Sequence, residues 1–349
     1  MPLLATVGSG SFRTFGLQTR AKKLNYTTLV ISGFSALGGG GGGGAGGGGG
    51  GGGGLRLTND ISIDVTSPNT YTVVVGTGGG GGTGVTSAPG QYTPGNWGIA
   101  GNGGNTGCYQ QETGANLLPT ITSPAYTSAW AVGGGRGAGT WSTAEPGGSG
   151  GGGSGNYYGS VYPYNSGKPS VQDNPQPAIC GAGAGAGDTQ SGGGGGWLSN
   201  GGFYDTNGGV APSPQGRMAG GSGTVISGFG GTVAAGGGGG AKSGSGSGGT
   251  AYNSPEVTAG SGSGWGGNAG NAIANRGGGG GGSGFENSGP NQYCAYNGGN
   301  GGSGQIIIEY SSQYDDAITT GDPTFTDNGT TKTYKFTGSG SITFQCIPK

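Results

Sequence analysis

The chain contains no histidine in 349 residues, which removes most common catalytic constellations at once. Ser–His and Cys–His nucleophile pairs, imidazole metal ligands and histidine acid–base work all need the missing ring. The four cysteines, Cys108, Cys180, Cys294 and Cys346, stand far apart with no C-x-x-C pair. They read neither as a zinc site nor as the dense framework of a small secreted scaffold. Two readings stand: isolated thiols in a chain made in a reducing cytoplasm, or one or two long-range disulfides. G-x-G-x-x-G recurs, as it must with 101 glycines, but no strand–helix context follows it. Ala241-Lys242-Ser243 follows a glycine run like a phosphate loop. Ala replaces the Gly before Lys, however, and no helix follows to aim N–H groups at phosphate. Gly147-Gly148-Ser149-Gly150-Gly151 fits the nucleophile-elbow pattern in form only, since no histidine can serve it. Asp315-Asp316 reads as solvated carboxylates on a turn. No enzyme, cofactor or metal site is expected.

Aromatic residues carry the best binding chemistry. Tyr157, Tyr158, Tyr162 and Tyr164, with Pro163 and Asn165, make a loop of the kind that grips partners at low entropy cost. Tyr109, Tyr126 and Trp130 form a second candidate, and Phe203 with Tyr204 a third. The same rings could instead cap a glycine-rich body that lacks a hydrophobic lid. Residues 1–24 hold Phe12, Arg13, Phe15, Arg20, Lys22 and Lys23. This basic arm suits docking on another protein and is too short and weak for nucleic acid; its alternative is a loosely ordered tail.

The elements that must position these groups are unusual. Residues 38 to 54 read GGGGGGGAGGGGGGGGG between Leu37 and Leu55. Only 30% of residues are hydrophobic and 8% are charged, with a net charge of -1. Disordered chains usually pair low hydrophobicity with high charge, and this one has only the first. A near-neutral chain has no field to hold nucleic acid by counterion release. No stretch approaches the roughly 20 apolar residues that span a bilayer, so no membrane insertion is expected. The start lacks a basic leader followed by an apolar core, so no secretory signal is expected.

Residues 25–37 are strand-like, rich in β-branched and apolar side chains. Leu55, Leu57, Ile61, Ile63 and Val65 alternate with polar residues. Ser67-Pro68-Asn69 then makes a turn and Tyr71–Val75 a second strand, which predicts a hairpin over 55–75. Residues 76–304 mix glycine runs with aromatic and polar islands. All five tryptophans (Trp97, Trp130, Trp141, Trp197 and Trp265) fall there, which a flexible linker would not need. Gln305–Tyr310 closes the region as a strand. Residues 324–344 read as two or three short strands, with turns at Asn328-Gly329 and Gly338-Ser339-Gly340. No helical period appears anywhere.

Long glycine runs suit an extended left-handed helix with three residues per turn and about 3.1 Å rise. It has no internal hydrogen bonds, so each buried N–H and C=O must find a partner in another segment. Collagen's strict three-residue period with abundant proline is absent. The expected fold is therefore mainly β and irregular with no helix of note. A bundle of polyglycine-II helices is bracketed by short antiparallel β-strands, and Tyr/Trp-rich loops emerge at its ends. The expected organisation is a docking arm over 1–24, a glycine-rich domain over 25–310 and a small β-hairpin unit over 311–349.

The order YTTLVISGF, polyglycine, ISIDVTSPNTYTVVVGTGGGGG and, at the far end, GGNGGSGQIIIEY resembles the glycine-rich domain of tailed-phage virion proteins. The likeness covers about residues 25–310, and its specificity lies in the order and spacing of low-complexity words. The tail TKTYKFTGSGSITF is similar to a strand pair that often precedes such domains, here at the other end and without its histidine. The resemblance implies a polyglycine-II sandwich, as in phage tail-fibre tip adhesins, with distal loops that bind a host surface receptor, either a glycan or an outer-membrane protein. It also implies several copies on the virion tail or capsid surface, beside other virion proteins. A second expectation is a capsid- or tail-bound decoration module that contacts only virion proteins. A third, an ice or carbohydrate binder, conflicts with the irregular insertions.

Overall fold

A computed structural model of the chain describes residues 27–86, 99–118, 121–122, 127–139, 142–154, 191–201, 220–240, 259, 267–289 and 292–345. Among them every regular element is a strand, none is a helix, and all pairing is antiparallel. In chain order they are β1 Thr28–Leu37, β2 Leu55–Thr58, β3 Ile61–Asp64, β4 Asn69–Val74, β5 Val85–Thr86, β6 Gly107–Gln110, β7 Ile121–Thr122, β8 Thr127–Ser128 and β9 Thr224–Ile226. β10 Gly231–Val233, β11 Phe285–Gly289, β12 Gln292–Ala295, β13 Gln305–Ser311, β14 Ile318–Thr320, β15 Thr324–Asp327, β16 Thr331–Phe336 and β17 Gly340–Phe344 follow.

Two sheets pack face to face. The larger runs β15-β16-β13-β1-β2, with β3 pairing the other half of β1, and the smaller runs β14-β17-β4-β6. Side chains alternate across each strand. Leu29, Ile31, Phe34 and Ala36 therefore meet Ile306, Ile308, Tyr310, Tyr334 and Phe336 in one core with Tyr71, Val73, Cys108, Ile342 and Phe344. The parity of β1 switches between Ile31 and Phe34 because its register with β13 shifts between Ile31 and Gly33, as an extra residue in one strand requires. Ile307 projects from the other face of β13. It joins Leu37, Leu55, Trp197, Phe229 and Val233 in a second cluster, which β10 and its partner β9 help to cover. With both faces buried, β13 reads as a near-continuous apolar run.

The hairpin expected over 55–75 does not form. β2 and β3 lie side by side along the ten-residue β1, while β4 belongs to the opposite sheet between β17 and β6. The intervening turn is a corner between sheets, held where Thr66 N and Oγ1 donate to Asp64 Oδ1 at 2.9 and 2.8 Å. One strand as long as β1 accommodates two short partners on one edge, and its apolar face then needs a second sheet above it. Asn328-Gly329 does turn β15 into β16, with Gly329 at φ 87. Gly338–Gly340 instead carries the chain across to β17 in the smaller sheet, and β14 was not anticipated. Residues 311–344 are thus built into the same two sheets as β1, β4 and β13.

Nor do the strands at 28–37 and 305–311 stand at opposite ends of the glycine region. They are neighbours in one sheet, with Leu37 opposite Gln305, so the region leaves the sandwich and returns to it on the same side.

The glycine segments pair by a different rule. Gly38, Gly41 and Gly44 donate to the carbonyls of Gly54, Gly51 and Gly48 at 2.9, 2.9 and 2.8 Å. Gly39 and Gly42 donate to Gly104 and Gly101, and Gly40 and Gly43 to Gly302 and Gly299. On the accepting side, Gly79 and Gly82 reach Gly40 and Gly43, Gly134 and Gly137 reach Gly39 and Gly42, and Gly280 and Ser283 reach Gly41 and Gly44. Every third residue thus addresses the same neighbour. Segments 48–54, 132–139, 99–104, 76–84, 297–304 and 277–284 surround 38–44 as a closed hexagon. Consecutive members of that ring are themselves bonded, as in Gly103 to Gly134, Gly101 to Gly80, Gly301 to Gly79 and Gly302 to Gly278.

Segment 48–54 is ringed in the same way by 38–44, 132–139, 147–154, 191–196, 234–240 and 277–284. Gly152 donates to Gly49, Gly49 to Gly192, Gly237 to Gly50 and Gly50 to Gly280. These two central segments explain the purest glycine in the chain. A methyl group on any of Gly38–Gly44 or Gly47–Gly53 would lie under 3.0 Å from a neighbouring backbone carbonyl.

Candidate functional site

The segments alternate in direction, so the lattice has a sandwich end and a far end. At the sandwich end Gly304 donates to Gly76, Gly54 to Val132 and Gly53 to Gly277, and Thr106 Oγ1 accepts from Gly76 N at 2.8 Å. At the far end Gly48 donates to Ala138, Gly240 to Gly47, Ser191 to Gly240, Gly192 to Gly153 and Ser283 to Gly44. The central run reverses there at Ala45–Gly47, with Gly46 at φ 59. Gly46 N donates to Ser283 Oγ at 2.7 Å, and that hydroxyl donates in turn to Tyr296 O. β11, β12 and β5 form a three-stranded sheet on the segments that reach this end.

Four insertions leave from segments that run toward this end, and the last of them rejoins at Ala259, which packs against Ala235 near the sandwich end. Thr86 and Ile99, Ser154 and Ser191, Gly201 and Gly220, and Gly240 and Ala259 are the last described residues on either side of 87–98, 155–190, 202–219 and 241–258. In each pair but the last, the first residue ends an outward segment and the second opens an inward one; Gly240 likewise ends an outward segment. Tyr157, Tyr158, Tyr162, Tyr164, Phe203 and Tyr204 lie outside the described residues, on the chain between such anchors. Tyr126, Phe12, Arg13, Phe15 and Arg20 also lie outside the described residues.

Tyr109 and Trp130 stand at the opposite end. Tyr109 sits in β6, with its ring centroid 6.0 Å from that of Trp130, and Trp130 packs against the sandwich core. The indole lies over Gly107, where an added Cβ would fall under 3.0 Å from it. This pair is positioned by sheet packing and closes the sandwich edge. Trp197 is likewise interior, at 5% exposure.

Asn and Ser side chains that sequence reasoning passed over finish the lattice edges. Asn300 Oδ1 and Asn297 Oδ1 accept from Gly81 N and Gly84 N at 2.8 and 2.6 Å. Asn268 and Asn271 do the same for Asn297 N and Asn300 N, and Asn102 and Asn105 for Arg136 N and Gly133 N. Each side-chain carbonyl stands in for a neighbouring glycine segment. The signal was the spacing: Asn297, Asn300 and Ser303 recur every third residue, as do Asn102 and Asn105, so one face of each segment carries these polar side chains.

The remaining reactive groups hold the sandwich together. Cys108 is a buried free thiol, and burial pushes it well above its ordinary pKa. Asp316 stays 60% exposed, as expected of a carboxylate on a turn, and also pairs with the fully buried Lys332 ammonium, which donates to Tyr314 O at 2.7 Å. Tyr310 Oη donates to Asp315 O at 3.0 Å and accepts from Ala317 N at 3.0 Å. Among the described residues no group of three or more His, Cys, Asp and Glu side chains could hold a metal ion, and no helix is long and apolar enough to cross a membrane. The chain matches no known family model and no curated protein.

Proposed function

We propose that the glycine segments are polyglycine-II helices in a hexagonal bundle, and that the chain is a non-enzymatic structural protein of a tailed-phage particle. In this reading it is a tail or fibre component that attaches the particle to the host surface through its far-end loops. One observation carries the proposal. A lattice whose two central segments carry no side chains is fixed to a β-sandwich at one end, and the aromatic insertions 155–190 and 202–219 leave from segments that run toward the other.

The repeat of lateral bonds at every third residue supports the helix, whose turn contains three residues and whose own segment supplies no bonds. Loops on a stiff support are the usual carriers of recognition, and the Tyr-rich composition of 157–164 suits that work. The resemblance in word order to glycine-rich virion domains supports the phage setting.

Removal of residues 157–179 from the protein on assembled particles tests the attachment role. Particles that assemble normally and lose adsorption to cells are the expected result. Particles that adsorb as well as before remove that loop from the proposal. The open sheet edges at the sandwich favour a second reading, a module that contacts only other virion proteins. That reading gains if the loop deletion leaves adsorption intact while sandwich-edge substitutions block assembly.

A further inference from the structure

The exposed turn from β15 to β16 assembles the parts of a reaction around Asn328-Gly329. Asn328 N donates to Thr331 O at 3.2 Å and closes the turn. Gly329 takes φ 87, and its missing Cβ leaves its nitrogen open to approach by the preceding side chain. Three donors hold the Asn328 side-chain carbonyl: Thr330 N at 3.0 Å, Thr330 Oγ1 at 2.8 Å and Thr331 N at 2.8 Å. The Gly329 N–H donates to Asp327 Oδ1 at 2.8 Å, and Ser312 Oγ donates to the same oxygen at 2.6 Å. An ordinary Asx turn needs one such donor. Here the carbonyl takes three, and the next N–H faces a carboxylate.

Attack on an amide carbon needs donors aimed at the oxygen that gains charge, and a base within hydrogen-bond reach of the nucleophile's proton. Gly329 N is the nucleophile, and its attack on Asn328 Cγ closes a five-membered ring. Its proton passes to Asp327. Charge gathers on Oδ1, which the three donors stabilise. The Cγ–Nδ2 bond then breaks, the nitrogen takes the proton back from Asp327 and leaves as ammonia, and a succinimide remains. Water opens either ring carbonyl, giving aspartate at 328 or an isoaspartyl linkage through the side chain. Water is the one co-reactant, and nothing is oxidised or reduced.

The same dipeptide occurs on the lattice edges at Asn102, Asn297 and Asn300, in a different setting. Their Oδ1 atoms accept from Arg136 N, Gly84 N and Gly81 N. The N–H groups that follow, on Gly103, Gly298 and Gly301, donate to the carbonyls of Gly134, Gly82 and Gly79. A peptide carbonyl is too weak a base to take the proton, and attack would pull the nucleophile out of its lattice bond. We infer that Asn328 is a self-modification site, losing ammonia in the folded protein with Asp327 as base, while the lattice holds its own Asn-Gly pairs unreacted. The isoaspartyl product adds a methylene to the main chain of the turn, and either product sets a second carboxylate beside Asp327. The inference rests on the turn alone and stands or falls apart from the phage setting.

Peptide mapping of the purified protein held at neutral pH tests it, with the same chain in urea as the unfolded reference. Asn328 should gain about 1 Da and react at least about tenfold faster folded than unfolded. Asn102, Asn297 and Asn300 should react more slowly folded than unfolded. D327N keeps an acceptor for the Gly329 N–H but removes the base, and T330V removes one donor from Oδ1. Each should slow the folded reaction about tenfold or more, while slow amide exchange at β13 reports an intact fold. Folding that slows the loss of ammonia at Asn328 would overturn the inference, as would an unchanged rate in either variant. Chain cleavage after Asn328 would do so too, because Nδ2 would then be the nucleophile.

Discussion

The sandwich and the glycine lattice are ordered by opposite means within one chain. In the sandwich, Ile306, Ile308, Tyr310, Phe336 and Phe344 are fully or almost fully buried, and each such side chain contributes about 1.5–3 kcal/mol by leaving water. Backbone bonds there run only within the plane of each sheet. In the two central lattice segments no side chain is available, and every glycine forfeits more backbone freedom than another residue would. Hydrogen bonds leave each central segment in all lateral directions. Each bond nets only about 0.5–1.5 kcal/mol, so the lattice depends on nearly every one being made. The sandwich can lose a methyl group and relax, whereas the lattice has no soft atoms to move.

That difference is sharpest at Gly50. A Cβ there would meet the carbonyl of Gly41 well inside contact distance, and the obstacle is backbone already bonded on both sides. We expect G50A to cost about 3 kcal/mol or more, at the upper end of overpacking. Ile308→Ala, which deletes three carbons from the sandwich core, should cost about 2–5 kcal/mol. Amide exchange over 38–54 separates the two variants: G50A should unprotect the lattice with β13 still slow, and Ile308→Ala the reverse. If a single added methyl at Gly50 were harmless, the lattice would be looser than its hydrogen bonds imply.

The same contrast decides what could be read in the sequence. β1 and β13 were legible because apolar and β-branched residues cluster at 28–31 and 306–308 near the two ends of the glycine region, and the absence of helix among the described residues matches the lack of any 3.6-residue period. Partners were not legible. The alternation of Leu55 to Val65 specifies a half-buried strand, but nothing local says that the strand splits into β2 and β3 on β1 while Tyr71 crosses to the other sheet. In the lattice, pure glycine marked the centre correctly, since only the two fully surrounded segments exclude every side chain. The edges were also written in the chain, as Asn297, Asn300 and Ser303. That three-residue spacing has meaning only once each segment is known to turn every third residue to the same neighbour. Tyr109 and Trp130 admit two readings in sequence, partner contact or cap, because aromatic residues look alike whether they face a partner or cover Gly107.

Alkali should act on the sandwich first. Burial raises the Tyr310 hydroxyl far above its ordinary 10.0, and its hydrogen bond with Tyr334 adds to the shift. Burial likewise raises Tyr71 and the Cys108 thiol. The folded state keeps these groups neutral. Their contribution is therefore complete below the ordinary values of 9.0 for Cys and 10.0 for Tyr and is lost as pH climbs toward the folded ones. Thermal melts should weaken steadily from about pH 9 upward, and tyrosinate absorption from Tyr310 should appear only with unfolding. No titratable side chain lies in 38–54. Regions that lose protection separately should melt in two transitions, with only the sandwich transition sensitive to alkali. A single transition would make them one cooperative unit.

The smallest effect tests where the lattice stops. Gly80 belongs to segment 76–84, which is bonded to 38–44, 99–104 and 297–304 on one side. An added Cβ there meets nothing within 4 Å. Its φ lies outside the left-handed range that disfavours alanine. G80A removes freedom from the unfolded chain without disturbing a neighbour, and chemical denaturation should show a gain of about 0.4–1 kcal/mol. The sign matters more than the size. The same substitution is disruptive at Gly50 and favourable at Gly80 only if stability in this region is set by how many sides of a segment are covered. A loss at Gly80 would mean that something else packs on the face of 76–84, and the hexagonal arrangement would extend beyond the segments described.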